Sequence, residues 1–476
     1  MEGKNVLLAI IFSTIVLVGW ATFFEPPLSI NENIPKNEIT KNEEPSSPSV
    51  DENVNVNKIS RNDAINYNER IKLENNNITG SVSLFGGIID DVTFKNYNVS
   101  LESDEKVVFL NPKNSSQGYF IETGWATNNN EKVKLPLNDS IWKVVGNNKL
   151  TPGNAITLEW NNNEGLTFIK NIELDENFLF TINQTIKNTS NKSYEFFPYA
   201  QITRNEKPDI IPIYILHEGF IGMFDDELKE EDYKDIEKKK FTTSSSKGWL
   251  GITDKYWLTV IVPEKGKKFK SEFLNNNGKY KANFIVKDSI VVKPNTSVSN
   301  KISAFVAAKE VAKIDSYAEK LNIEKFDLTI DWGWFYFITK PLFFVIEYFF
   351  KLTGNFGVAI IILTALVRLV FFPLANYSFR SMAKMKILQP EMLRLKELHK
   401  DDKTKLQQEM MALYKREKVN PVSGCLPVLI QIPFFFAVYK MLYVTIEMRQ
   451  QPFFGWIKDL SARDPTSIFN LFGLIP

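Results

Sequence analysis

A single arginine, Arg368, lies inside an apolar run that is long enough to cross a membrane, Gly357–Leu374. A spanning helix needs about 20 mostly apolar residues, and an arginine well inside one costs roughly 2.5–3.5 kcal/mol on insertion scales. That cost usually marks a water-filled cavity or a charged partner. The alternative is that Arg368 reaches back to the membrane surface, since it lies about 9 Å from the end of the run at 1.5 Å per residue. The run therefore predicts a membrane protein with Arg368 as a candidate functional residue.

The composition argues against several classes of protein. The 476 residues carry 57 Lys and Arg against 56 Asp and Glu, with one cysteine, Cys425, and two histidines, His217 and His399. One cysteine cannot form a disulfide or a cysteine-based metal site within the chain, and two histidines weaken any histidine-dependent catalysis. The sequence has no Walker-type phosphate loop. We therefore expect no cofactor, no metal and no binding to DNA.

The N-terminal region predicts a membrane anchor followed by a linker. Residues 6–24 are continuously apolar, and they are long for a cleaved signal peptide and lack a convincing cleavage site. A retained signal anchor is favoured over a cleaved one. Residues 25–60 are rich in Asn, Pro and Ser and hold seven acidic residues against three lysines, which is typical of a disordered acidic linker on the non-cytoplasmic side.

The next 245 or so residues predict a large β-sandwich. Alternating and β-branched runs begin at Ser81, Ile88, Phe178, Trp257 and Phe284, with Asn-rich turns between them. Many short strands with polar turns are typical of two packed sheets. A helix is expected at 308–321. The domain has no persuasive catalytic set, because its carboxylate pairs, Glu173/Asp175 and Asp225/Asp226, lie in charged surroundings and His217 follows an apolar run.

Residues 332–351 are intensely aromatic and suit either a spanning helix or a helix lying in the membrane interface. Tyr336, Lys340, Glu347 and Lys351 fall on one helical face, and Pro341 interrupts the run. An amphipathic interfacial helix is therefore the favoured prediction.

Residues 376–420 are basic, with eleven Lys or Arg against six acidic residues, which predicts a cytoplasmic location. Apolar residues at heptad spacing occur on both sides of residues 401–404, which predicts an antiparallel helical hairpin. Residues 421–446 form another span. Lys440, near its outer end, and Glu447 are interpreted as an interfacial anchoring pair.

The candidate site lies where the two inner spans face each other. Thr364 lies one turn before Arg368, and the next span carries Gly424, Pro427 and Gln431 on one face. If the two spans turn these faces toward each other, the faces would form a polar cavity with one fixed positive charge. Ordinary helix packing, with Gln431 bonded to a neighbour, remains the alternative.

The hairpin carries methionines that could form a soft surface for apolar segments. The candidate contact residues are Met382, Met385 and Met411. The alternative is that several methionines fill the hairpin seam, and this is favoured for Met385, Met392 and Met410.

The predicted organisation is an α+β membrane protein in which a helical transmembrane core and a cytoplasmic helical hairpin join a large periplasmic β-sandwich. Its segments are the anchor at 1–24, the linker at 25–60, the sandwich at 61–325, the interfacial helix at 326–352, the second span at 353–375, the hairpin at 376–420, the third span at 421–446, a periplasmic loop at 447–467 and the start of a further span at 468–476.

At these residues the chain resembles the bacterial YidC family of membrane-protein insertases. The match is nearly continuous from Asp331 to Pro465, and the run Lys418–Pro427 (KVNPVSGCLP) is long and distinctive. The anchor, the large external domain and the stretch from Lys247 (KGWLGITDKYWLTVIVP) suit the Gram-negative form. The resemblance implies an inner-membrane protein whose groove opens to the cytoplasm and lipid and carries one arginine, corresponding to Arg368.

The resemblance also implies partners and a mechanism without nucleotide. Nascent membrane proteins would be the substrates, with the Sec translocon (SecYEG, SecDF), the ribosome and membrane lipids as further partners. Since the family carries further spans after the Asp464–Pro465 region, we expect this sequence to be truncated at its C-terminus. Two other classes compete, a membrane-tethered sugar-acting enzyme and a transporter half. The first needs a convergent carboxylate or histidine set, and the second is disfavoured by the hairpin and by the lack of an internal repeat.

Overall fold

The computed structural model describes residues 59–128, 133–208, 216–400, 402–420, 424 and 426–462. The predicted anchor at 1–24, the linker as far as residue 58 and the predicted segment at 468–476 lie outside the described residues.

The N-terminal two thirds of the described chain form a β-sandwich, as the alternating runs predicted. The first sheet has eleven strands, namely β1 (Arg70–Glu74), β2 (Ile78–Ser83), β3 (Ile88–Asn98), β4 (Lys106–Leu110), β5 (Tyr119–Ala126), β7 (Lys149–Leu150), β11 (Tyr194–Arg204), β14 (Phe241–Ser245), β17 (Phe269–Asn276), β18 (Lys279–Val286) and β19 (Ile290–Val292). The second has nine, namely β6 (Lys143–Val145), β8 (Ile156–Asn161), β9 (Leu166–Leu174), β10 (Leu179–Asn188), β12 (Gly219–Phe224), β13 (Glu227–Asp232), β15 (Gly248–Thr253), β16 (Trp257–Val262) and β20 (Thr296–Ala308).

The strand order brings distant parts of the sequence together. The first sheet runs β14-β17-β18-β11-β5-β3-β2-β1-β7, with β19 beside β11 and β4 beside β3. The second runs β13-β12-β15-β16-β20-β10-β9-β8-β6. The long strand β20 pairs antiparallel with both β10 and β16, and its last residue leads directly toward the helical region.

Strand alternation explains why the two sheets pack face to face. Along β9, every second residue from Leu166 to Leu174 is buried and the residues between them are partly or fully exposed, which is the period-2 pattern of a half-buried strand. Phe94, Phe168 and Phe196 lie in the same core, and Phe168 meets Phe196 edge to face at 5.9 Å between ring centroids. Each fully buried phenylalanine contributes roughly 1.5–3 kcal/mol relative to an exposed one.

The helices within the described residues are short in the sandwich and long after it. They are α1 (Arg61–Tyr67), α2 (Tyr233–Lys238), α3 (Val311–Lys320), α4 (Tyr336–Thr353), α5 (Phe356–Leu398), α6 (Lys403–Arg416) and α7 (Leu426–Val444), with 3₁₀ turns at Phe326–Thr329 and Ile446–Met448. The helix predicted at 308–321 is found as α3. Of the described helices, α5 and α7 are long and apolar enough to cross a membrane.

The second span and the first arm of the hairpin are one helix, α5, so the boundary predicted between residues 375 and 376 is not a break in the chain's structure. Asn355 caps the start of α5 by accepting a hydrogen bond from the backbone N–H of Val358 at 3.1 Å. The helix continues through Pro373 and Pro390 for 43 residues. At 1.5 Å per residue it is about 65 Å long, roughly twice the hydrocarbon core of a bilayer.

The aromatic segment forms the helix α4, which begins at Tyr336 rather than at residue 326. Pro341 lies in the second turn without ending the helix. Gly354 ends it in the left-handed conformation, with φ of +69°. The chain then turns directly into α5, and the rings of Phe350 and Phe356 stack at 3.7 Å between centroids across this turn.

The end of α5 and α6 form the predicted hairpin, with its apolar seam in the predicted register. Met385, Leu388, Met392 and Leu395 are half-buried on α5; Leu406 and Met410 are half-buried and Leu413 is buried on α6. The side chain of Asp402 caps α6 by accepting from the N–H of Lys405 at 3.0 Å. The apolar seam is narrow, and most of the remaining hairpin residues are exposed.

Candidate functional site

Arg368 lies on the flank of α5, beside the face that packs against neighbouring helices. That packed face is formed by Ala359 and Leu363, which are buried, with Val367 and Phe371 half-buried at helical spacing after them. Thr364 and Arg368 lie together on the adjacent exposed strip, as their spacing of four predicts. The charged group therefore sits within a candidate membrane span without being covered by the described residues.

No described carboxylate lies within ion-pairing distance of Arg368. The neighbouring hydroxyl of Thr364 is occupied, because it donates to the backbone carbonyl of Ile360 at 2.8 Å. Ser and Thr side chains in apolar helices commonly bond back in this way. Arg368 thus remains a cation whose counter-charge is not supplied by the described part of the chain.

Gln431 on α7 lies at a depth similar to that of Arg368 on α5. Arg368 is twelve residues after the first residue of α5, about 18 Å, and Gln431 is thirteen residues before the last residue of α7, about 20 Å. Gln431 is half-buried and makes no side-chain hydrogen bond to a described residue. No hydrogen bond joins the side chains of Arg368 and Gln431.

The parts of α5 and α7 nearest the hairpin do meet. The hydroxyl of Ser378, buried on α5, donates to the carbonyl of Gly424 at 3.1 Å. A Cβ at Gly424 would lie 3.2 Å from Cγ of Met382, so the glycine permits a close approach of the two helices. Pro427 is half-buried in the first turn of α7, where a missing backbone N–H is tolerated. Nearer the middle, Phe371 and Phe434 pack edge to face at 4.8 Å between centroids.

The three methionines predicted to contact a substrate are not equivalent. Met382 and Met411 have 39% and 51% of their surface exposed, whereas Met385 is half-buried in the hairpin seam. A flexible thioether side chain adapts to many apolar shapes. Met382, which also contacts Gly424, lies closest to the inner mouth of the two spans.

The interpretation of Lys440 and Glu447 as an interfacial anchoring pair is wrong. Lys440 is only 9% exposed, and its Nζ lies 2.6 Å from Oδ2 of Asp331, in the segment that joins the sandwich to α4. Oε1 of Glu447 accepts from the backbone N–H of Val311, at the start of α3, at 2.8 Å. Both side chains turn inward to the junction, because partners more than 100 residues away in sequence are available there.

Other contacts complete this junction between the sandwich and the membrane helices. Lys340 on α4 pairs with Asp315 at 3.0 Å and with Asp327 at 2.8 Å. The guanidinium of Arg449 donates to the carbonyl of Asn98 at 2.6 Å. Sequence reasoning missed the junction, since no local pattern tells which lysine on an apolar helix has a distant carboxylate.

Burial changes the acid–base behaviour of groups in the junction. Burial, together with the negative charges of Glu310 and Glu347 nearby, raises the pKa of Glu447 to about 7. Burial likewise lowers the pKa of Lys309 to about 8, although Asp331, Asp254, Glu218 and Glu230 around it favour the charged form. The outer end of α7 is thus embedded in protein rather than in water.

In the sandwich, the groups considered for catalysis have structural roles. Nε2 of His217 is 2.8 Å from the carbonyl of Phe220, and its Nδ1 is 3.3 Å from Asp232. Burial opposes charging of His217, but the bond to Asp232 and the field of Glu230 outweigh it and raise the pKa. Asp175 accepts from the hydroxyl of Tyr317 at 2.6 Å. The described residues contain no group of three or more His, Cys, Asp or Glu arranged to hold a metal.

Two family models match this chain, one mainly over the β-sandwich and one over the apolar helices. Residues 70–345 match the family model of the YidC periplasmic domain, and residues 348–475 match that of the 60Kd inner membrane protein. A membrane protein insertase YidC from Pelagibacter ubique is 56% identical over 478 residues, covering 100% of this chain and 85% of the relative. Its counterpart from Bradyrhizobium diazoefficiens is 40% identical, covering 100% and 83%.

Among solved structures, an active YidC insertase with its first transmembrane domain resolved aligns with a TM-score of 0.30 at 19% identity, covering 84% of this chain and 78% of that one. The family models and the identities define the class as an inner-membrane protein with a periplasmic domain. The chain belongs to the YidC family of membrane protein insertases. Its relatives are thus insertases rather than enzymes, and their substrates are membrane proteins.

Proposed function

We propose that this chain inserts membrane proteins by receiving the polar tail of a substrate beside Arg368 while the substrate's apolar segment passes along α5 and α7 into lipid. The observation that carries the proposal is the position of Arg368 on the exposed flank of a spanning helix, with no carboxylate of the described chain within reach. A cation kept in an apolar span at this cost suits a transient acidic or polar partner. Apolar burial, at roughly 25 cal/mol per Å², supplies the driving force without nucleotide.

The groups around Arg368 would act as a weakly polar path rather than as a tight binding site. Thr364 and Gln431 offer hydrogen-bonding groups at nearly the same depth, and Gly424 with Pro427 forms the inner entrance. Coulomb attraction between unit charges about 4 Å apart is roughly 4 kcal/mol at an effective dielectric of about 20, before desolvation is subtracted. That attraction is enough to favour capture of a substrate tail and still permit its release.

The hairpin would make the first contact with a substrate on the cytoplasmic side. Met382 and Met411 present exposed thioether side chains there, and Met385 would contribute where the seam opens. The basic surface of the hairpin suits lipid phosphates or ribosomal RNA. We infer that the N-terminus is cytoplasmic, that the sandwich is periplasmic, and that the Sec translocon and the ribosome are partners for some substrates.

Insertion of a graded set of substrates tests the proposal. The substrates carry neutral, singly acidic or doubly acidic tails, and insertion is measured into vesicles that hold the wild type, Arg368→Lys or Arg368→Ala. Arg368→Ala should impair acidic tails more than neutral ones. Arg368→Lys should have the smaller effect, since it keeps the charge but loses the planar five-donor fork. Equal insertion of every tail by Arg368→Ala would show that Arg368 does not receive the tail.

A further inference from the structure

Lys440 is held at the outer end of α7 by an acidic residue of the junction. The side chain is nine-tenths buried, and its Nζ lies 2.6 Å from Oδ2 of Asp331. It lies four residues before the last residue of α7, a helix that carries no other charged residue. A lysine in an apolar helix near the membrane surface could extend its ammonium group toward water. Here it turns the opposite way, into the protein.

Asp331 is fixed by backbone donors as well as by Lys440. Its Oδ2 also accepts from the N–H of His217 at 3.0 Å, and its Oδ1 accepts from the N–H of Gly333 at 3.1 Å. Three donors on one carboxylate restrict its orientation. The carboxylate therefore connects three parts of the chain: His217, two residues before β12, the segment leading into α4, and α7.

Gly333 provides the second contact of Lys440, after Asp331. Its φ is +74°, a conformation that glycine adopts without cost. A Cβ at this position would lie 3.3 Å from Cε and 3.4 Å from Cγ of Lys440, so the lysine stem lies directly against the backbone. The neighbouring Trp332 is buried and meets Phe343 of α4 at 5.7 Å between ring centroids. The lysine is thus held along its stem as well as at its charged end.

The location of Lys440 on α7 determines which side of this helix packs against the junction. Gln431 lies nine residues earlier, about 14 Å along the axis, and nine residues at 100° each place it on the opposite side of the helix. Lys440 shares its side with Ala437, Met441 and Val444, which are all buried. Because the Lys440 side of α7 packs against the junction, the Gln431 side of the helix faces away from the junction.

We propose that Lys440, seated on Asp331 and Gly333, is a positioning residue that fixes the rotation and depth of α7 and so the direction in which Gln431 is presented. The substrate-facing role of Gln431 rests on the proposed function, whereas the rotation of α7 does not. Lys440 itself contacts no substrate in this account. Its loss changes insertion only through the placement of α7.

Distance measurement between spin labels tests the positioning directly. The labels are placed on exposed residues of the two spans, Leu369→Cys on α5 and Leu429→Cys on α7, in the full chain with Cys425→Ser, reconstituted in vesicles. Lys440→Met keeps the length of the stem and removes the charge. It should shift or broaden the distance distribution and lower insertion of every substrate by about tenfold, which is 1.4 kcal/mol at 25 °C.

Two further variants separate positioning from a general loss of folding. Gly333→Ala keeps both charges but places a methyl group against the lysine stem, and it should shift the distance in the same direction by a smaller amount. The neutral pair Asp331→Asn with Lys440→Gln can still form a hydrogen bond, and it should restore a narrower distribution than either single change. Lys351→Gln, which alters an exposed lysine that pairs with Glu347 on α4, is the matched control and should leave distance and insertion unchanged.

The outcomes distinguish this proposal from the proposed function. A wild-type distance distribution in both Lys440→Met and Gly333→Ala would overturn the positioning role, whatever insertion does. Arg368→Ala should keep the wild-type distances while impairing acidic tails. If Arg368→Ala inserts every tail normally while Lys440→Met shifts the distances, the positioning role stands and the role of Arg368 fails.

Discussion

The sandwich and the spanning helices treat charge in opposite ways. Arg70 and Asp90 form an ion pair inside the sandwich, with 8% and 3% of their side chains exposed, and Arg204 pairs with Asp254 at 2.8 Å. Arg368 on α5 has no such carboxylate among the described residues. A buried charge is costly unless it is paired and hydrogen-bonded. The sandwich supplies a carboxylate to each of these two arginines, whereas the described residues supply none to Arg368.

This difference indicates which region takes part in exchange with other molecules. A domain that pairs buried arginines with its own carboxylates gains little from a further charged partner there, whereas an unmatched cation in an apolar helix gains from any acidic or polar group that reaches it. Lys440 is the informative exception, since it is a spanning-helix cation that the junction does pair. Its partner Asp331 belongs to the segment that links the two regions.

The proposed placement of the sandwich and the hairpin on opposite sides of the membrane should give the largest effect, an all-or-none result. In a Cys425→Ser background, a cysteine at Ser46 in the acidic linker should react with an impermeant reagent in intact cells, and a cysteine at Thr404 in the basic hairpin should not. Opening the cells should expose both. Reaction at Thr404 in intact cells would reverse the topology.

Removing one arginine from each region should give unequal losses of stability. Arg70→Ala leaves Asp90 buried without its partner, and breaking such a pair costs roughly 3–5 kcal/mol. Arg368→Ala removes a cation that has no described partner, so its cost should stay below about 1 kcal/mol. Thermal unfolding of both variants in detergent makes the comparison. Similar losses for the two would mean that Arg368 is paired within the protein.

A smaller effect should appear in the pH dependence of the free energy of unfolding, through Glu447 in the junction. The pKa of Glu447 is about 7 in the folded protein against an ordinary value of 4.5. A carboxyl whose pKa is raised on folding favours the folded state most below pH 4.5, and this contribution is lost as the pH rises to about 7. At 1.36 kcal/mol per pKa unit the loss is about 3 kcal/mol.

Glu447→Gln tests this because it keeps the oxygen that accepts from Val311 and removes the titration. The melting temperature of the variant should vary less than that of the wild type between pH 4.5 and 7, and it should be higher than the wild type above pH 7. A variant that follows the wild-type profile would show that Glu447 does not titrate in this range.

Much of this architecture follows from local sequence patterns. Alternation in the run from Phe178, which forms β10, predicts a strand because each residue there is either inward or outward. The heptad spacing from Met385 to Leu413 predicts the hairpin because the seam must be continuous. The strip that carries Thr364 and Arg368 follows from helical geometry alone. In each case the pattern repeats within a few residues, so residues close together in the sequence are enough to predict the strand or helix.

The junction could not be predicted in this way. The partners Asp331 and Lys440 are 109 residues apart, and only the folded chain brings them within 2.6 Å. The continuity of α5 through Pro373 also depends on its surroundings, since a proline in isolation favours a helix end. Likewise, the order of strands in the two sheets depends on long-range pairing that no short window of sequence contains.

The exposure of position 368 to water tests the central claim most directly. With Cys425→Ser and Arg368→Cys, labelling by a small membrane-impermeant thiol reagent is measured in inverted membrane vesicles, where the cytoplasmic side faces outward. Leu369→Cys, at the next residue of α5, which is 69% exposed, is the control for a position facing lipid. We predict rapid labelling at 368, slow labelling at 369, and protection of 368 when a stalled substrate with an acidic tail is present. Slow labelling at both positions, unchanged by the substrate, would contradict a hydrated path beside Arg368.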